Sequence, residues 1–178
     1  MTPRLTTPRL VLRPFEAADA GALNRVSNEP WVLKWMPDWA MDVEGTRRLI
    51  GYFTSKLAQV TPDSARVMLA VTLDGEVIGM VGIGNKEEVD NEIEIAYFIS
   101  KAHAGKGYIT EAAQAMTRWA LDVLSLPYLM AIVETDNYPS QRVVERCGFE
   151  RLETRMILNS GEAEEKPFYY YRAYRDDG

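Results

Sequence analysis

The stretch "AHAGKGYITEAA", Ala102 to Ala113, sets Gly105 and Gly107 around Lys106 and then runs directly into a helical pattern. Glycines at that place turn a chain sharply. They also leave backbone N–H groups bare at the positive end of a helix dipole, where an anion binds. Ala104, Gly105, Lys106, Gly107, Tyr108 and Ile109 are the candidate donors, and the Lys106 side chain adds a positive charge. Two nucleotide motifs fail here. No Gly-Lys is followed by Ser or Thr, as a P-loop requires, and the third glycine of a dinucleotide fingerprint is replaced by Thr110.

Working outward, "EIEIAYFIS", Glu92 to Ser100, reads as the strand that feeds this loop. After it, Ile109, Ala112, Ala113, Met116, Ala120, Val123 and Leu124 recur at helical spacing, and Pro127 punctuates the end. Three strands precede the Glu92 strand: "RLVLRPF" from Arg9, "ARVMLAVT" from Ala65, and "EVIGMVGIG" from Glu76, the last two joined through Asp74-Gly75, a strong hairpin signal. That makes the Glu92 strand the fourth and "YLMAIVET", from Tyr128, the fifth.

Helices are expected after Glu16 and again from an Asp42 cap to Leu57, with Val43, Leu49, Ile50 and Phe53 toward the core. Another is expected over "NYPSQRVVERCGF", with Pro139 in its first turn and Gly148 just past its end. The tail reads as two strands around Asn159, Ser160 and Gly161. This alternation implies one α/β domain spanning residues 1–178, a length suited to one core.

Composition removes several classes of function. A formal charge of −6, with no run of Lys and Arg, argues against a nucleic-acid partner. An acidic surface suits a cationic one. The apolar run "ALDVLSLPYLMAIV" carries Asp122 and Pro127, so no membrane span is expected, and prolines near the start interrupt any signal peptide, which points to a cytoplasmic protein. Cys147 and His103 are the only residues of their kinds, which leaves no disulfide framework and no metal site of the cysteine or histidine type.

Thirty residues beyond the glycine loop stands "NYPSQRVVERCGF". Together with "EIAYFI", "GKGYITEA" and the opening "TPRLVLRPF", it resembles the GNAT superfamily of acetyl-CoA-dependent N-acetyltransferases, in the branch of ribosomal-protein N-terminal acetyltransferases. The resemblance implies a mixed, mostly antiparallel sheet flanked by helices, with acetyl-CoA in the splay between the fourth and fifth strands. It implies that Phe98, Ile99 and Ser100 pair their backbone with the pantetheine arm, that Gly105 to Tyr108 hold the pyrophosphate, and that Asn137 contacts the pantetheine. Ser140 would lie near the thioester sulfur. Ala102 departs from the Arg or Gln common at that position, and Val144 stands where another branch has a tyrosine acid.

The chemistry needs a neutral amine and a stabilised thiolate. Glu94 shares a strand face with Ala96 and Phe98 and is a candidate base, acting through water; a solvated strand glutamate is the plain alternative. If Glu94 is the base, its replacement by Gln is expected to cut turnover most steeply at low pH. Ser140 is the candidate donor to the thiolate, or else serves the first turn of its helix. Glu111 would repel a pyrophosphate and is expected to point elsewhere. Trp31, Trp35 and Trp39 recur every four residues and read as core or as an aromatic acceptor wall.

An α-amine, with a pKa near 8, demands less of a base than a lysine-type amine near 10.4. The sparse acid–base set is therefore compatible with a protein or peptide N-terminus, the acceptor that the resemblance to the ribosomal-protein branch implies, with a polyamine, an amino acid or an antibiotic amine as alternatives. An acyl-CoA sensor without turnover and a Rossmann-like nucleotide-binding regulator are the readings from other classes. The protein is expected to act as a monomer or homodimer.

Overall fold

In the computed structural model, which describes residues 3–176, eight strands form one sheet in the order β1-β2-β3-β4-β5-β6-β8-β7. The ends of the expected domain, residues 1–2 and 177–178, lie outside the described residues. The strands are β1 (Leu5–Thr6), β2 (Val11–Pro14), β3 (Arg66–Leu73), β4 (Glu76–Lys86), β5 (Glu92–Ile99), β6 (Tyr128–Glu134), β7 (Glu150–Ile157) and β8 (Lys166–Tyr174). The helices are α1 (Ala20–Ser27), α2 (Pro30–Leu33), α3 (Val43–Leu57), α4 (Tyr108–Arg118) and α5 (Tyr138–Arg146). The short β1 was not expected, so the fourth and fifth strands of the sequence reading are β5 and β6.

Strand alternation distributes the core over both faces of the sheet. Val67, Leu69 and Val71 of β3 pack with Met116 and Ala120 on one side, whereas Met68 and Ala70 pack with Leu23, Ile50 and Phe53 on the other. Near-continuous apolar runs in β3 and β4 follow from this double burial. The Asp74-Gly75 turn joins them, both residues having positive φ, as a tight hairpin requires.

Three local expectations are corrected. The first long strand begins at Val11 rather than Arg9, because Thr7 and Leu10 close a tight turn (Thr7 N–H to Leu10 O, 2.9 Å) that carries Arg9 out of the sheet. Val43 is not core: as the first residue of α3 it is 38% exposed, while Ile50 and Phe53 are buried as expected. The helical spacing after Tyr108 breaks at Trp119–Val123, where the chain widens into a π turn and leaves Val123 52% exposed.

All strand pairs are antiparallel except β5 with β6, which are parallel and paired at a single position, Glu94 with Met130. Beyond that point β5 remains hydrogen-bonded to β4 and β6 to β8, so the two strands part. The gap between them is the opening on which the site is built.

Candidate functional site

Residues from both strands line a cavity of about 870 Å³: Ile95, Tyr97 and Ile99 from β5, and Ala131, Ile132 and Val133 from β6. A volume of this size suits a small-molecule site. Ser140 and Val144 of α5 and Ile109 of α4 line it too, as do Trp31, Trp35, Trp39, Tyr52, Glu94 and Glu88.

The open edge of β5 can be read from its ladder. Ser100 donates its N–H to Ile78 O (2.8 Å), and antiparallel alternation turns the backbone groups of Phe98 toward β4 as well. The backbone groups of Tyr97 and Ile99 therefore face the gap. Of the three residues expected to pair with an extended ligand, Ile99 is the one whose backbone is turned that way, and Tyr97 joins it. Phe98 instead buries its ring edge-on against Trp39, with centroids 4.9 Å apart.

The glycine loop has the conformation its sequence demanded. Gly105 and Gly107 have φ of 76° and 81°, which side chains with a Cβ adopt only under strain. Gly107 is the N-cap of α4, and no side chain caps that helix. By contrast, Asp42 caps α3 through the Gly45 N–H (2.7 Å) and Asn137 caps α5 through the Ser140 N–H (3.4 Å). The first amides of α4 are thus left for an external acceptor. Glu111 points elsewhere, as expected, toward Thr7 and Arg9. His103 is not simply exposed: its Nδ1 lies 2.7 Å from Ser100 Oγ.

Ser140 sits at the start of α5 with its hydroxyl 2.7 Å from the Tyr97 hydroxyl, and the phenol also reaches Ser140 O at 3.2 Å. Burial holds the Tyr97 phenol well above its usual range, so it stays protonated as a hydrogen-bond donor. Sequence reasoning overlooked Tyr97. Its signal was present in the strand alternation that sets it opposite Glu94 and toward the α5 side.

Glu94 stands where β5 and β6 meet, on the face of β5 opposite Tyr97. Burial pushes its carboxyl from an ordinary 4.5 up to about 7, against the opposing pull of Lys86, 3.8 Å away, and of Arg66. Its side chain keeps 19% exposure while lining the cavity. A carboxyl near 7 can exchange a proton at neutral pH. Trp39 is core, packed on Phe53 and Phe98; Trp31 and Trp35 are half-buried. Trp31 Nε1 is buried and has no partner among the described residues, an unmet donor in a residue that lines the cavity. Cys147 serves packing: burial pushes its thiol up to about 12.

An uncapped helix start, an unpaired strand edge and a carboxyl with a raised pKa thus stand around one cavity. Residues 9–150 match the family described as acetyltransferase (GNAT) domain. The uncharacterized N-acetyltransferase p20 of Bacillus licheniformis is 30% identical over 148 residues, covering 83% of this chain and 82% of that protein. The ribosomal-protein-serine acetyltransferase of Escherichia coli is 25% identical over 125 residues, covering 68% and 67%. Among solved structures, RimL, the ribosomal L7/L12 alpha-N-protein acetyltransferase in complex with coenzyme A, superposes with a TM-score of 0.83 at 16% identity, over 99% of this chain and 100% of that one. The chain belongs to the GNAT acetyltransferase family and is an acetyl-CoA-dependent N-acetyltransferase.

Proposed function

We propose that residues 1–178 form one catalytic domain that acetylates the α-amine of a protein or peptide N-terminus in the cytoplasm. The observation that carries this reading is Glu94, a half-buried carboxyl whose pKa is raised to about 7 on the wall of the cavity. An α-amine with a reference pKa near 8 differs from such a base by about one unit, so its proton can be taken directly or through one water. The ribosomal-protein acetyltransferases among its relatives support the same acceptor class.

Acetyl-CoA supplies the activated thioester. The donors left at the start of α4 suit its pyrophosphate, and the Ile99 and Tyr97 backbone suits its pantetheine arm. Asn137, whose carbonyl oxygen is taken by Ser140 N–H, keeps its side-chain NH₂ for that arm. Ser140 donates to the sulfur as the thiolate departs, its Oγ held 2.7 Å from the Tyr97 hydroxyl. Trp31 and Trp35 form the acceptor wall.

A second reading is favoured by one observation: Asp38, Glu87, Glu88, Glu134 and Asp136 also line the cavity, a charge that suits a polycationic amine. The two readings separate in an assay of CoA thiol release with peptides beginning with Ser, Ala or Met, a polyamine, free amino acids and an aminoglycoside. Release with the peptides alone supports the N-terminal acceptor, and release confined to the polyamine replaces it. Binding of acetyl-CoA without release from any acceptor would favour a sensor.

A further inference from the structure

The turn between β1 and β2 sends one side chain to the glycine loop. Arg9 Nε donates to Glu111 Oε1 (2.9 Å), and the Arg9 N–H donates to Glu111 Oε2 (3.1 Å). Its Nη1 donates to Lys106 O (2.9 Å), and the guanidinium lies over the Tyr108 ring at 4.4 Å. Thr7 Oγ1 completes the arrangement by donating to Glu111 Oε2 at 2.5 Å. Three consecutive features of the loop, a carbonyl, a ring and the first acidic residue of α4, are thereby fixed to one residue nearly a hundred positions earlier.

Two consequences follow from elementary geometry. The Lys106 carbonyl and the Gly107 N–H belong to one planar trans peptide and point in opposite directions. Holding the carbonyl on Arg9 therefore fixes the direction of the Gly107 N–H as well. Second, a guanidinium offers five donors in a fixed fork. Nε and Nη1 are engaged, whereas Nη2 has no hydrogen-bond partner among the described residues and lies beside Gly107, 3.2 Å from where a Cβ would stand. The fork is thus spent on the loop and its helix, with Nε on the Glu111 carboxylate and Nη1 on the Lys106 carbonyl.

We propose that Arg9 is a coenzyme-affinity determinant, a positioning residue that holds the Lys106–Tyr108 loop in the shape that binds the diphosphate of acetyl-CoA. This rests on the reading that the start of α4 takes that diphosphate. Its role is confined to the phosphorylated end of the donor, so it discriminates CoA from pantetheine, which ends short of the phosphates.

The test is a calorimetric titration with CoA, paired with an NMR titration with pantetheine, on the wild type, Arg9→Gln and Arg9→Lys. Arg9→Gln is expected to weaken CoA about tenfold, the loss of charge-assisted hydrogen bonds, and to weaken pantetheine far less. Arg9→Lys, which keeps a charge for Glu111 but loses the fork, should fall between. Equal weakening of both ligands would mean a merely structural role and overturn the proposal, as would unchanged CoA affinity. A wild type that binds pantetheine as tightly as CoA overturns the diphosphate reading of the α4 loop itself, and Arg9 with it.

Discussion

Glu94 carries the most chemical information of any single residue. A carboxyl held near 7 acts as a base only above that pH, so kcat/KM of the wild type should rise through about pH 7. Glu94→Gln should remove that limb, leaving the ionisation of the amine, and should lose about a hundredfold or more near pH 8. Its deficit is therefore largest at high pH, which reverses the expectation from sequence. The reason is burial, which no spacing rule reveals. The same shift has a stability consequence of defined sign. Below its ordinary 4.5 the carboxyl is protonated in folded and unfolded chains alike. Between 4.5 and about 7 the folded state keeps a proton that the unfolded state releases, and stability falls as pH rises. Above that window the full cost, up to about 3 kcal/mol, is present. Denaturant melts should accordingly find Glu94→Gln more stable than wild type near pH 8 and equal to it near pH 4; equal stability at both would contradict the shifted carboxyl.

At the scale of elements, the start of α4 is where local sequence and ligand binding meet. Gly105 and Gly107 were legible from the sequence because positive φ is a local property that glycine alone adopts freely. Replacing either by Ala should cost about 1–2 kcal/mol of strain. The two differ in what the new methyl meets: open space at Gly105, but Arg9 Nη2 at 3.2 Å at Gly107. Gly107→Ala should thus weaken CoA binding more than Gly105→Ala at similar stability, as calorimetric titration of the two variants would establish. Other boundaries were less legible. The strand expected from Arg9 starts two residues later, because the Thr7–Leu10 turn answers to a partner on α4. The π turn at Trp119–Val123 similarly departs from the 3.6-residue pattern the sequence displays.

For the whole molecule, the site depends on two strands that meet once and separate. Coenzyme should bridge β5, α4 and α5, the elements that border the gap between β5 and β6. Saturation at a hundred times Kd adds about 2.7 kcal/mol to the folded state. For a chain of this size that corresponds to a rise in Tm of roughly 5–10 °C. A thermal melt with CoA measures it, and pantetheine should shift Tm less at equal concentration. The sequence by itself determined the order of strands and helices, the glycine loop and the Asn137–Ser140 helix start, because hydrophobic period, φ preference and capping act over a few residues. It also determined the family, through motifs read in order along the chain. Tertiary structure alone decided that Tyr97 bonds Ser140 across 43 positions, that Arg9 reaches Lys106 across 97, and that Glu94 titrates near neutrality. Those properties depend on which distant atoms exclude water and which stand within hydrogen-bonding reach, and only the folded sheet brings such atoms together.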